Sequence, residues 1–150
     1  MKITVVYGTE SGNSELIAED LGAKLRETHD DVEVFDLQDV DPAGMNADTF
    51  YLVVCSTHGD GGLPNSALPF AEAFDAALPD LTGVRYAMFG LGDTFYSGTY
   101  SQGSENLDRR FVAQGATRVG EYGRHDASSF DDMSEVALAW LPGALEAAGL

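Results

Sequence analysis

The segment Phe50–Cys55 limits the possible folds of this chain more than any other. All of its residues are apolar, and they are rich in the aromatic and β-branched types that favour strands. A strand with one face in water alternates polar and apolar residues, whereas an uninterrupted apolar strand is buried on both faces. The segment is far too short to cross a bilayer. It therefore predicts the central strand of a sheet that is covered on both sides.

Strand-like and helix-like segments alternate along the chain. Strands are predicted at Lys2–Tyr7, Val32–Phe35, Phe50–Cys55, Val84–Phe89 and Thr117–Tyr122. Helices are predicted from apolar stripes of helical period at Leu16–Leu25, Ala67–Leu78, Leu107–Val112 and Met133–Leu145. This order predicts a three-layer α/β fold, in which right-handed crossovers place helices on both faces of a parallel sheet. Residues 1–150 are expected to form a single domain.

Two local expectations accompany these elements. Either Ser11 or Asn13 is expected to cap the first helix, because both side chains can accept a hydrogen bond from a free amide. Pro142 weakens the prediction of the last helix, since proline lacks the amide hydrogen that a helix interior uses.

Three polar or glycine-rich loops each follow a predicted strand. They are the first loop (Gly8–Ser14), the second loop (Ser56–Asn65) and the third loop (Gly90–Gly103). In a parallel α/β sheet, ligands bind beyond the carboxyl ends of the strands, where the strand order reverses. All three loops are therefore expected at one edge of the sheet.

The first loop has the composition of a phosphate site without a cation. Its candidate binding residues are Thr9, Glu10, Ser11, Gly12, Asn13 and Ser14. Hydroxyls, free amides and a helix dipole can hold a phosphate there. The loop contains neither the lysine of a triphosphate loop nor the Gly-x-Gly-x-x-Gly of a dinucleotide site, so neutral donors for a monophosphate fit better. The same residues also fit a simple capped turn.

The second and third loops suit a flat ligand. Glycines at 59, 61 and 62 allow close approach of the backbone and positive φ angles. His58 can pack its ring against such a ligand, although an exposed loop histidine explains the residue equally well. The third loop has glycines at 90 and 92 followed by Tyr96, which also fits a half-exposed surface ring.

With these motifs in this order, the chain resembles flavodoxins along nearly its whole length. It is most similar to the short MioC-type flavodoxins and to the FMN domains of diflavin reductases. The resemblance implies a flavodoxin-like fold with a five-stranded sheet in the order 2-1-3-4-5, and one FMN bound along its carboxyl edge. It also implies an electron carrier that shuttles electrons between a reductase and acceptor proteins.

The resemblance assigns binding roles residue by residue. The first loop would hold the phosphate. The flavin-binding candidates in the other loops, including the loosely matched Asp126, are Ser56, Thr57, His58, Gly59, Asp60, Gly61, Gly90, Leu91, Gly92, Asp93, Tyr96, Tyr100 and Asp126. The segment Ser97–Tyr100 departs from the diflavin pattern, and Tyr100 is the candidate substitute there. No catalytic residue and no metal ligand is expected.

Charge and cysteine content restrict the partners. The net charge of −17 argues against nucleic acid and favours redox partner proteins with basic surfaces. Either salt adaptation or steering of partners explains this acidity. Cys55 is the only cysteine, so no intramolecular disulfide can form. With no signal peptide or membrane span in the sequence, a cytoplasmic monomer is expected.

Two other functions fit the same architecture. An FMN-dependent reductase would act directly on a small substrate such as a quinone, in a cavity open above the flavin. A regulatory protein could retain the fold without any cofactor. A phosphorylated receiver domain is excluded, because the third strand ends in Cys-Ser-Thr and no lysine follows Lys24.

Overall fold

The computed structural model describes residues 1–57, 62–92 and 101–150. The strands are β1 Lys2–Gly8, β2 Val32–Asp36, β3 Thr49–Cys55, β4 Arg85–Gly92, β5 Thr117–Arg118 and β6 Gly123–Asp126. The helices are α1 Asn13–Arg26, α2 Leu68–Ala77, α3 Gln102–Ala113 and α4 Met133–Ala148. Short 3-10 turns lie at Leu37–Asp39, Pro42–Gly44 and Asn65–Ala67.

The strands pair in parallel in the order β2-β1-β3-β4-β5, and β6 pairs with β4 in line with β5. This is the predicted order, and the flavodoxin-like fold class is confirmed. Every residue of β3 is buried. Phe50, Leu52 and Val54 lie in the core beneath α1 and α4. Their neighbours Tyr51, Val53 and Cys55 lie in the opposite core, beneath α2 and α3. The apolar run therefore forms the centre of the sheet, as predicted.

The fifth strand differs from the prediction of one strand over Thr117–Tyr122. Tyr86 of β4 pairs with Arg118, but Phe89 pairs with Gly123, so the edge strand has two extra residues at this point. Gly120 in the bulge has a φ of +74°. The indole nitrogen of Trp140 donates to the Glu121 carbonyl at 2.8 Å and holds the bulge against α4. The strand then continues to Asp126, which the sequence analysis missed.

Three other predictions of element boundaries were wrong. The third loop starts later than predicted, because β4 continues through Gly92. Neither Ser11 nor Asn13 caps α1: the cap is Gly12, whose φ is +96° and whose amide donates to Thr9 Oγ1. The second predicted helix begins as the 3-10 turn Asn65–Ala67, and α2 itself ends at Ala77. The last helix, by contrast, continues through Pro142.

Candidate functional site

The carboxyl ends of three neighbouring strands meet at one edge of the sheet. Gly8 of β1 pairs with Cys55 of β3, and Cys55 pairs with Gly90 of β4. The amide of Ser56 also donates to the Gly8 carbonyl at 3.1 Å. The three loops singled out in the sequence therefore leave the sheet side by side. This edge is the candidate site.

The first loop is held by the turn that precedes α2. The amide of Thr9 donates to Ser66 Oγ at 2.7 Å, and the Ser66 amide donates back to the Thr9 carbonyl at 3.2 Å. The Asn65 amide donates to Glu10 Oε1 at 2.7 Å. Thr9 Oγ1 accepts the Gly12 amide at 2.8 Å. Four hydrogen bonds thus fix the loop in one conformation.

Unused donors gather where this loop enters α1. No side chain of the described residues caps the helix. Among those residues, the amides of Asn13, Ser14 and Glu15 have no acceptor, as expected for the first turn of a helix. The hydroxyl of Ser14 is fully buried and has no partner among the described residues.

A buried hydroxyl without a partner is costly unless a ligand satisfies it. A phosphate oxygen is an acceptor that both this hydroxyl and the helix amides can bind. The residues present therefore fit a phosphate group. The loop has no lysine or arginine, so neutral donors and the helix dipole supply the attraction.

Thr57, at the start of the second loop, is joined to the end of β4 and to α3. Its hydroxyl donates to the Leu91 carbonyl at 3.0 Å and accepts the Gly103 amide at 3.0 Å. The neighbouring Ser56 hydroxyl donates to the Gly8 carbonyl at 3.3 Å. One threonine thus fixes the starting points of both loops that were predicted to surround a flat ligand.

Two glycines allow α3 to approach this edge. A Cβ on Gly103 would lie 2.8 Å from the Thr57 Cα and closer still to the Ser56 carbonyl oxygen. A Cβ on Gly90 would overlap the hydroxyls of Ser101 and Ser104. The buried Ser101 has a φ of +60° where the chain enters the helix. The amino end of α3 is therefore packed directly on the ends of β3 and β4.

Beyond Ser104, a polar cluster borders the site. The Ser104 and Tyr122 hydroxyls lie 2.5 Å apart, and the Arg118 and Arg124 guanidinium groups lie 4.9 Å and 4.0 Å from the Tyr122 ring centre. Burial raises the pKa of Tyr122 to about 12, against the opposing effects of the Ser104 hydrogen bond and Arg124. Tyr122 is thus a neutral hydrogen-bonding group at physiological pH.

Asp126 ends β6 beside Gly92, its partner in the sheet. Its carboxylate accepts hydrogen bonds from the amide and hydroxyl of Ser128, at 2.9 Å and 2.8 Å. The Ala127 amide donates to the Gly92 carbonyl at 2.8 Å. Asp126 therefore lies at the predicted edge, and it shapes the loop that leads to α4.

The structure places three of the remaining candidates at the same edge. Gly90, Leu91 and Gly92 lie within the last residues of β4, the first two of them buried. The predicted candidates that lie outside the described residues are His58, Gly59, Asp60, Gly61, Asp93, Tyr96 and Tyr100. Their roles stay predictions.

Sequence reasoning missed two residues that shape the site. Ser66 was overlooked because it lies beyond the second loop, although a small polar residue just before a helix is a common backbone partner. Gly103 carried a clearer signal. Glycine is unfavourable inside a helix, so its presence in the first turn of α3 indicates a close approach.

Two other types of site are absent from the part of the chain that the structure describes. They contain no group of three or more His, Cys, Asp or Glu side chains that could hold a metal ion. None of the helices in that part of the chain is long and apolar enough to span a membrane. A cavity of about 270 Å³ lies beside β1, β2 and β3, and its lining includes Thr4, Phe35 and Tyr51. It does not involve the three loops.

Comparison with known proteins agrees with this geometry. The family model described as Flavodoxin matches residues 5–140. Protein MioC of Escherichia coli K12 is 32% identical over 142 residues, which cover 93% of this chain and 92% of MioC. The crystal structure of oxidised flavodoxin 1 from Bacillus cereus superposes with a TM-score of 0.80 at 28% identity. That superposition covers 97% of this chain and 98% of the flavodoxin.

Larger proteins match as well. The sulfite reductase [NADPH] flavoprotein alpha-component of Bacillus subtilis is 33% identical over 146 residues, or 97% of this chain. The chain spans only 23% of that protein. It spans 22%, 23% and 8% of three other large relatives. The similarity to these relatives therefore concerns one part of each of them.

Proposed function

The chain belongs to the flavodoxin family, and we propose that residues 1–150 act as one FMN-binding unit that carries electrons between partner proteins. The observation that supports this most strongly is that three loops leave the sheet side by side at one edge. One of them has a buried serine hydroxyl and helix amides that have no partner among the described residues.

The phosphate is assigned to the first loop. The Ser14 hydroxyl and the amides of Asn13, Ser14 and Glu15 supply the donors. The hydrogen bonds between Thr9 and Ser66 hold these donors in place before any ligand arrives. Binding then costs little conformational entropy, because the loop is already ordered.

The ring system is assigned to the second and third loops. Bound FMN supplies a redox centre that accepts and releases electrons one at a time. Thr57 and Gly103 hold the bases of both loops in fixed positions. We assign His58 and Tyr96 to opposite faces of the ring, and Gly59, Asp60 and Gly61 to its edge. These five roles rest on the family pattern.

The electron donor and acceptor are assigned to separate proteins with basic surfaces. The chain has 25 acidic residues against eight lysines and arginines, so it attracts positive surfaces over a long range. Its monomeric state and cytoplasmic location remain predictions.

Anaerobic reduction of the FMN-loaded protein tests the proposal. We expect two resolved one-electron steps and almost no steady-state oxidation of NADPH when a quinone is the only acceptor. Rapid turnover of NADPH without a separate reductase would instead favour a reductase that acts directly on small substrates. A colourless protein that does not bind added FMN would favour a regulatory role.

A further inference from the structure

The loop between β6 and α4 displays one aromatic ring directly to solvent. Phe130 has a relative solvent accessibility of 108%, the highest of the large apolar residues that the structure describes. An ordinary exposed apolar residue keeps part of its surface against the protein. Phe130 has no such packing, so its position in the folded chain gains nothing from intramolecular burial.

The loop around Phe130 is nevertheless ordered. Before the ring, Asp126 accepts the Ser128 amide, and the Ser129 amide and hydroxyl both donate to the Asp126 carbonyl, the hydroxyl at 2.7 Å. After the ring, the His125 imidazole is hydrogen-bonded to the Asp131 carbonyl at 2.9 Å. The loop thus presents the ring from a backbone that is fixed on both sides.

This ring adjoins the candidate flavin site. The loop starts at Asp126, whose strand partner is Gly92 at the carboxyl end of β4. The third loop follows Gly92 directly in the chain. Phe130 is therefore only four residues from the edge at which we place the flavin. A protein that covers Phe130 also comes close to the redox centre.

The chain segments around the ring are mostly acidic. Segments 3–23 and 125–150, which contain α4 and residues 13–23 of α1, have nine acidic residues and no lysine or arginine. Lys24 and Arg26 lie in the last turn of α1, at the far end of that helix. The exposed acids nearest to the ring in the chain are Asp131, Asp132 and Glu135. The Ser134 hydroxyl donates to Asp20 of α1 at 2.6 Å, so the acids of α1 border the same surface.

A second exposed apolar side chain lies on α1, the helix that packs against α4. Leu16 is 58% exposed and lies one helical turn before Asp20, on the same side of α1. Leu16 and Phe130 thus lie at the amino ends of two adjacent helices. An apolar centre with a charged rim is the usual composition of a protein–protein interface.

We infer that Phe130 is the anchor of a docking surface for a redox partner that has an apolar pocket ringed by lysine or arginine. This inference rests on the proposed function and specifies the surface through which it operates. Acidic side chains steer a basic partner toward the patch, and the ring fills its pocket. A second copy of this chain fits poorly, because two such acidic faces repel each other.

A lysine-rich cytochrome c, whose apolar haem edge is ringed by lysines, is a suitable probe. Its affinity for the wild-type protein, for Phe130→Ala and for Leu78→Ala is measured by calorimetry at low ionic strength. Leu78 is the matched control, because it is 62% exposed at the carboxyl end of α2, away from the site. We expect Phe130→Ala to bind about tenfold more weakly and Leu78→Ala to bind like the wild type.

Equal affinity of Phe130→Ala and wild type, or no binding of the cytochrome by the wild type, would overturn the inference. The inference would also be overturned if the wild type formed a dimer and Phe130→Ala remained a monomer. Unchanged thermal unfolding of Phe130→Ala shows that the variant is folded. The binding assay needs no flavin, so failure to bind FMN would refute the proposed function and leave this test valid.

Discussion

The amide of Thr9 donates a hydrogen bond of 2.7 Å to the hydroxyl of Ser66, which lies 57 positions further along the chain. This bond connects the loop assigned to the phosphate with the turn before α2. The donors of the first loop therefore depend on a residue that does not itself belong to that loop.

Ser66→Ala removes this acceptor and leaves the half-buried Thr9 amide without a partner. We expect FMN to bind about fivefold more weakly, in line with the loss of one hydrogen bond worth about 1 kcal/mol. Fluorescence titration of FMN measures the change. Thr82→Ala is the control, because Thr82 also has a hydroxyl in a turn but precedes β4 at the other edge. An equal loss of affinity in both variants would contradict the assignment.

Thr57→Val keeps the shape of the side chain and removes both of its hydrogen bonds. The Gly103 amide and the Leu91 carbonyl then lose their partner. We therefore expect the free energy of unfolding, measured in urea, to fall by about 1–3 kcal/mol. FMN affinity should fall as well, because the bases of two loops are released. Thr57→Ser retains the hydroxyl and should resemble the wild type in both measurements. A stable, tightly binding Thr57→Val would show that these contacts do not position the loops.

Gly103→Ala tests the close approach of α3. Alanine is the better helix former by about 1 kcal/mol, but here its Cβ would meet backbone atoms of Ser56 and Thr57 that cannot move independently. We expect a net loss of about 1–3 kcal/mol in stability.

Gly143→Ala is the matched control for this variant. Gly143 also lies within a helix, and a Cβ there would have no neighbour within 4 Å. Alanine should stabilise the protein at this position by about 0.5–1 kcal/mol. Changes of the same sign in the two variants would exclude the steric explanation.

The partly buried Tyr122 predicts a loss of stability at high pH. Burial raises its pKa to about 12 in the folded protein, whereas an unfolded tyrosine ionises near about pH 10. The unfolded chain therefore releases its proton first, and the stabilisation is complete below about pH 10 and disappears as the pH rises towards 12. Urea unfolding between pH 9 and 12 should show a shallower decline for Tyr122→Phe than for the wild type. Parallel declines would contradict this assignment.

The sequence predicted the architecture because its signals were strong and local. The apolar run Phe50–Cys55 determined the centre of the sheet, and alternation of strands and helices determined the parallel order. The position of the site followed from topology alone, since the carboxyl ends of parallel strands share one edge. None of these inferences required the details of side-chain packing.

The larger errors came from contacts between residues that are distant in the chain. The bulge at Gly120 is held by a hydrogen bond from Trp140 to the Glu121 carbonyl, 19 positions earlier. The glycine cap of α1, in contrast, involves a local contact from the Gly12 amide to Thr9. Ser66 and Gly103 owe their roles to partners 57 and 46 positions away. Local propensity and periodicity contain no information about such partners.

Titration of the apoprotein with FMN, followed by quenching of flavin fluorescence, tests the central claim most directly. We predict an end point at one FMN per chain, and a clear loss of affinity when Ser14→Val removes the buried hydroxyl. No quenching at micromolar concentrations, or binding that is indifferent to this substitution, would contradict the assignment of the site.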